Sequence, residues 1–166
     1  MKILKTISVL IFSLLFLNIS LAGETPQYSD YPAVVMCKPK HPVKLDLSNN
    51  REAAAFRSRL ETAAKRDPNF AGHYVLTHWG CGTFCQTIAI IDILTGKVYF
   101  PEITEKSMEN NMVGWGYETP SVDSKLLIIN AQLTTGPRSQ AGALKSQLRD
   151  VRMYFKWEDN QLVRIQ

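Results

Sequence analysis

The chain has 166 residues, with 19 Lys and Arg against 15 Asp and Glu, a formal net charge of +4. That length suits one domain, and 9 Gly and 8 Pro among 45% hydrophobic residues exclude a collagen-like or Pro/Gly-rich disordered chain. Three cysteines are too few for a disulfide-dense mini-scaffold.

The N-terminus reads as a targeting segment. Lys2 and Lys5 form a short positive region, Ile7 to Leu17 is apolar except for Ser8 and Ser13, and Ser20-Leu21-Ala22 offers small residues for cleavage. The apolar run is shorter than the ~20 residues that a spanning helix needs, so residues 1–22 are expected to be a secretory signal peptide cleaved after Ala22. Cleavage removes two lysines and no acid, leaving 17 basic and 15 acidic residues and a nearly balanced chain. The basic surplus is thus poor support for an acidic partner. A periplasmic or secreted protein is expected, with no membrane span after cleavage, since later apolar runs such as Ile88 to Leu94 are strand-length and carry Asp92.

Pro26, Pro32, Pro39 and Pro42 predict an extended arm over 23–42, with a short strand at Ala33 to Cys37. Residues 43–166 are expected to form a single α+β domain. Val43 to Leu47 alternates as an edge strand would. A helix follows, with Asn49 and Glu52 at capping-box spacing and Ala53, Phe56, Leu60 and Ala63/Ala64 on one face. Asp67-Pro68-Asn69 ends it.

From Gly72 onward the pattern is β. Strands are predicted at His73 to Trp79, Thr87 to Ile93 and Lys97 to Phe100, the last two joined by Thr95-Gly96. Further segments are Met112 to Tyr117, Lys125 to Ala131, and a closing hairpin of Val151 to Trp157 with Gln161 to Ile165. Short turns between consecutive segments predict an antiparallel meander of about six strands in one sheet, with the single N-terminal helix packed on it.

Chemistry-bearing residues concentrate in Gly72-His73-Tyr74-Val75-Leu76-Thr77-His78-Trp79-Gly80-Cys81-Gly82-Thr83-Phe84-Cys85-Gln86. Cys37, Cys81 and Cys85 are an odd set, so an oxidising compartment allows one bridge and leaves one thiol. Cys81 with Cys85 is the preferred pairing, across a tight loop relaxed by Gly82. Cys37 with either partner and no bridge at all remain open. The C-x-x-x-C spacing differs from the C-x-x-C of thioredoxin-like motifs.

Three motifs occur in order: Asn-Phe-Ala-Gly-His-Tyr at Asn69 to Tyr74, Trp-Gly-Cys-Gly-Thr-x-Cys-Gln at Trp79 to Gln86, and Asp-x-x-Thr-Gly-Lys-Val-Tyr at Asp92 to Tyr99. In these the chain resembles an uncharacterised family of small exported bacterial proteins. The resemblance implies a secreted β-rich domain and carries over no catalytic residue.

Four readings of the patch compete. The structural one makes it two strands joined by a disulfide-pinned turn, with Trp79 and Tyr74 as core or rim aromatics and Gly80 and Gly82 in backbone shapes that other residues resist. A zinc site of His73, His78, Cys81 and Cys85 is disfavoured, because an odd separation along a strand sends the two histidines to opposite faces. A catalytic Cys81 with His73 or His78 as base would make the protein a small hydrolase or transferase, but no acylation signature surrounds it. A recognition loop of Trp79, Gly80, Gly82, Thr83, Phe84 and Gln86 is the favoured functional reading, since a cross-linked loop loses little entropy on binding and aromatics anchor well. The expected partner is a protein or an envelope component. Neither a metal nor a cofactor is predicted, and scattered Lys and Arg give no support to nucleic-acid binding.

Elsewhere, Gly114-Trp115-Gly116-Tyr117 could supply an aromatic pocket wall but suits half-buried packing better. Arg138 and the acidic Glu102, Glu105 and Glu109 suit solvated loops. No P-loop, dinucleotide-binding, zincin, nucleophile-elbow or EF-hand pattern occurs.

Overall fold

The computed structural model describes residues 24–36, 43–48, 51–82, 85–101, 112–134 and 148–166, with the side chains of 51, 52, 81–82, 85 and 113 excepted. Two short helices, α1 (Arg51–Ala55) and α2 (Arg57–Ala63), precede seven strands: β1 (Tyr74–Gly82), β2 (Cys85–Asp92), β3 (Val98–Tyr99), β4 (Met112–Tyr117), β5 (Leu126–Thr134), β6 (Leu148–Glu158) and β7 (Gln161–Arg164). The fold is thus mostly β with few helices. The strands form two antiparallel sheets, β1-β2-β3 and β4-β5-β6-β7, each in meander order, and not the one six-stranded sheet expected. The expected single helix is divided at Phe56, whose φ of −105° and ψ of 19° leave the helical region. Asn49 lies outside the described residues, as do Arg138, Glu102, Glu105 and Glu109.

Strand periodicity explains the layering. Residues alternate across a sheet, and β1 sends Val75 and Trp79 one way and Leu76 the other. Val75 and Trp79 join Ala89, Ile91 and Ile93 against Ala53, Leu60, Ala63 and Ala64 of the helical segment. On the opposite face Leu76, Ile88 and Ile90 meet Leu127, Ile129, Met153, Phe155 and Trp157 of the second sheet. Helices, first sheet and second sheet therefore stack in that order.

A fourth layer comes from the N-terminal segment. Tyr28 and Tyr31, around a 3-10 turn at Tyr28–Asp30, cover Leu126, Ile128 and Tyr154 on the outer face of the second sheet. Ala33 N–H donates to Asp123 O at 2.7 Å, Lys125 N–H to Tyr31 O at 2.7 Å, and the buried Ser124 hydroxyl to Tyr28 O at 2.7 Å. Residues 24–36 of the predicted arm are accordingly packed on the domain. The edge strand expected at Val43 to Leu47 reduces to one parallel bridge, Asp46 with Lys97.

Two of the three sequence motifs are fold-locking turns. In the first, Asn69 clamps Leu76 with both ends of its carboxamide, accepting from Leu76 N–H at 2.7 Å and donating to Leu76 O at 3.1 Å. Phe70 is fully buried, and Ala71 and Gly72 take φ of 45° and 91°. Their amides donate to Ser124 O at 3.1 Å and Val122 O at 2.6 Å, which ties the first sheet to the approach of β5. In the third motif Asp92 accepts from Leu94 N–H at 2.8 Å, Thr95 N–H at 3.2 Å and the Thr95 hydroxyl at 2.7 Å. Gly96, at φ 77°, then turns the chain into β3.

Candidate functional site

The middle motif occupies the β1–β2 hairpin. Its register runs Trp79 with Thr87, Gly80 with Gln86 and Gly82 with Cys85, so Cys81 is an extra residue of a bulge beside the Cys85 pair. The backbone thus brings Cys81 and Cys85 nearly opposite one another. Thr83, Phe84 and Cys37 lie outside the described residues. Gly80 and Gln86 are exposed.

Trp79 corrects the recognition-loop expectation. It is 6% exposed and packs in the core shared with the helices, with Phe56 at a centroid distance of 4.8 Å and Phe100 at 6.3 Å. It cannot anchor a partner from there. Its indole N–H is buried without a hydrogen-bond partner among the described residues, while the Arg59 guanidinium stands 5.9 Å from the ring.

The two histidines go to different places. His78 Nδ1 lies 2.7 Å from the Tyr117 hydroxyl and the rings meet edge-on, so this contact joins β1 to β4. Burial pushes the Tyr117 hydroxyl above the ordinary tyrosine pKa. His73 Nε2 lies 3.6 Å from Asp92 Oδ1, an oxygen already accepting the two turn amides, and its ring stacks near Tyr74 at 4.2 Å. Neither histidine is brought to the other. Among the described residues no group of three His, Cys, Asp or Glu could hold a metal ion.

A concavity lies on a different surface. Pairing in the second sheet sets out two cross-strand rows on its outer face: Gly114, Gln132, Asp150 and Gly116, Asn130, Arg152. Each row runs from a glycine through a carboxamide to a charged group. A Cβ on either glycine would meet nothing within 4 Å, so the β4 end of both rows is bare backbone. The result is an open trough of about 610 Å³, lined by Gly114, Asn130, Gln132, Asp150 and Arg152.

The polar groups in the trough are held in place by one another. Gln132 Nε2 donates to Asp150 Oδ1 at 3.0 Å, Asn130 Nδ2 to Glu118 Oε1 at 3.3 Å, and Arg152 reaches both Glu118 oxygens at 2.7 and 2.8 Å. The arm adjoins this network, for the Tyr28 hydroxyl is raised in pKa first by burial, then by the Glu118 carboxylate. The trough also adjoins the hairpin. Gln86 Nε2 donates to Trp115 O at 2.9 Å, fastening the end of β2 to the strand that bears the glycines.

Trp115 and Tyr117 show the half-buried packing expected of the Gly-Trp-Gly-Tyr segment, turned inward onto the core, and the concavity lies over the glycines on the other face, for which nothing was expected. Asn130, Gln132, Asp150 and Arg152 carried no sequence signal, because only the strand register brings them together. No helix among the described residues is long and apolar enough to cross a membrane. No protein-family model, curated protein or solved structure matches the chain.

Proposed function

We propose that this is an exported binding protein of the bacterial periplasm or extracellular space, recognising its partner on the outer face of the second sheet. One observation carries the reading: a glycine-floored trough of about 610 Å³ whose polar side chains are fixed in advance by mutual hydrogen bonds. Prefixed side chains lose little entropy when a ligand docks. Gln86, beside the Cys81–Cys85 pair that a cystine would join, reaches the strand bearing the glycines through Trp115 O. The partner is a component of the envelope; a small hydrolase or transferase using Cys81 with His73 or His78 is the alternative.

Gly114→Leu tests this, since its Cβ enters open space and the rest of the side chain projects over the trough. Expressed at the wild-type level in a deletion strain, with an unchanged urea midpoint, it is expected to fail to restore the lost phenotype. Full complementation by Gly114→Leu would refute the assignment of function to this face.

A further inference from the structure

We infer that the trough takes a neutral oligosaccharide bearing hydroxyl and acetamido groups, an inference that rests on the binding reading above. The first ground is the spacing of functional groups. Successive outward residues on one strand are about 6.6–6.8 Å apart and neighbouring strands about 4.8 Å apart. Gln132, Asp150, Asn130 and Arg152 therefore form a compact grid beside bare backbone at Gly114 and Gly116. A flat ligand can lie against that backbone while its rim reaches the grid.

The second ground is hydrogen-bonding type. A carboxamide carries two N–H donors and a carbonyl acceptor, and a carboxylate accepts several hydrogen bonds. Gln132 and Asn130 each spend one N–H on a neighbouring carboxylate, so each retains a donor and an acceptor for a ligand. The face thus offers donors and acceptors interleaved at short range. Hydroxyls, which both donate and accept, match that pattern, and an acetamido group matches a carboxamide edge to edge.

The third ground is charge. Glu118 and Asp150 against Arg152 leave one net negative charge, and Glu118 already holds the guanidinium at both oxygens. A polyanion such as a nucleic acid finds no free cation in this network. Peptides find little apolar anchorage in the trough itself, because Trp115, Ala131 and Val151 along it turn their side chains inward to the core.

The test is a titration of the isotope-labelled mature chain (residues 23–166) with chitotriose, followed by amide shifts, with trigalacturonate and an uncharged extended heptapeptide as comparisons. Saturable shifts at Gly114, Gly116, Asn130, Gln132 and Asp150 are expected, with chitotriose bound at least tenfold more tightly than trigalacturonate. Gly114→Leu and Asp150→Ala should each weaken it at least tenfold. No shift up to about 10 mM chitotriose, where even a millimolar site would be occupied, overturns the ligand class. Shifts confined to other surfaces, or preferential binding of the heptapeptide or trigalacturonate, overturn it too. Complementation by Gly114→Leu is read separately, so a wrong ligand class and a wrong site give different results.

Discussion

Replacing Gly72 by Ala probes the joint that holds the N-terminal segment to both sheets. At φ 91° an L side chain is strained, and the new Cβ would stand 2.2 Å from Val34 O and 3.1 Å from Val34 C. A backbone oxygen cannot retreat as a flexible side chain can, so residues 33–36 must lift. Left-handed backbone strain costs about 1–2 kcal/mol. Loss of the bonds from Met36 N–H to Gly72 O (3.1 Å) and from Ala33 N–H to Asp123 O (2.7 Å) adds about 1 kcal/mol each. The expected loss is about 3–4 kcal/mol, a large share of the ~5–15 kcal/mol available to a typical domain. Urea unfolding of the protein measures it as a lowered midpoint at unchanged slope, and hydrogen exchange at the Met36 amide localises it. Gly114→Ala is the control: its Cβ meets nothing, and relief of glycine's backbone entropy should leave it equal or about 0.5–1 kcal/mol more stable. A Gly72→Ala protein within about 0.5 kcal/mol of wild type, with Met36 still protected, would refute this account of the joint.

Asp92→Ala removes the acceptor for two amides and a hydroxyl of the β2–β3 turn. Because Leu94 and Thr95 are exposed and water can replace the lost acceptor, a loss of about 1–2 kcal/mol is expected, with Asp92→Asn milder; an unchanged thermal midpoint for Asp92→Ala would count against the capping role. Tyr28, Tyr74, Tyr99 and Tyr117 are all raised in pKa chiefly by burial. The folded state therefore holds these protons more tightly, so stability is kept below the ordinary tyrosine pKa of about 10 and falls as pH rises above it. Unfolding midpoints should drop over that alkaline range and the slope should lessen in Tyr117→Phe; a flat profile there contradicts the burial argument. Peptide mapping of the non-reduced protein should join Cys81 to Cys85, the pair that the bulge sets nearly opposite, whereas a free Cys81 thiol would remove the pinned turn and favour the nucleophile reading.

Strand positions were legible because alternation and turn residues act locally. Met112 to Tyr117 was placed end to end, and β1, β2, β5 and β6 to within a few residues. Their distribution between two sheets was not read, although the sequence carried the cue. A single sheet with a helix on one face leaves its other face polar, so every strand should alternate. Ile88-Ala89-Ile90-Ile91 and Leu126-Leu127-Ile128-Ile129 do not; every one of these residues is buried. Such runs need cover on both faces, which β2 obtains from the helices and the second sheet, and β5 from the first sheet and the tyrosines of the arm. The Pro-rich segment was expected as an extended arm because proline removes donors, and Ala33 and Met36 supply the N–H groups that pin it to the domain.

The site was less legible than the fold for a related reason. Conspicuous residues at short sequence spacing drew attention to the segment from His73 to Gln86, and the structure gives several of them positional work. Trp79 fills a core, and His78 and Gln86 fasten β4. In the trough the order is reversed. Gly-x-Gly, Asn-x-Gln and Asp-x-Arg are each unremarkable in their own strands, and residues 114 and 152 are far apart in the chain. Antiparallel register alone sets Gly114 beside Gln132 and Asp150, and Gly116 beside Asn130 and Arg152. Shifting β4 by one residue against β5 would turn Trp115 and Tyr117 outward and abolish the concavity, since side chains alternate with period two. The inward packing of Trp115 and Tyr117 therefore specifies the bare face as firmly as the core, and a concavity made of glycine is maintained by the aromatics behind it. Trp115→Ala should accordingly weaken both the fold and the trough, whereas Gly114→Leu should affect the trough alone.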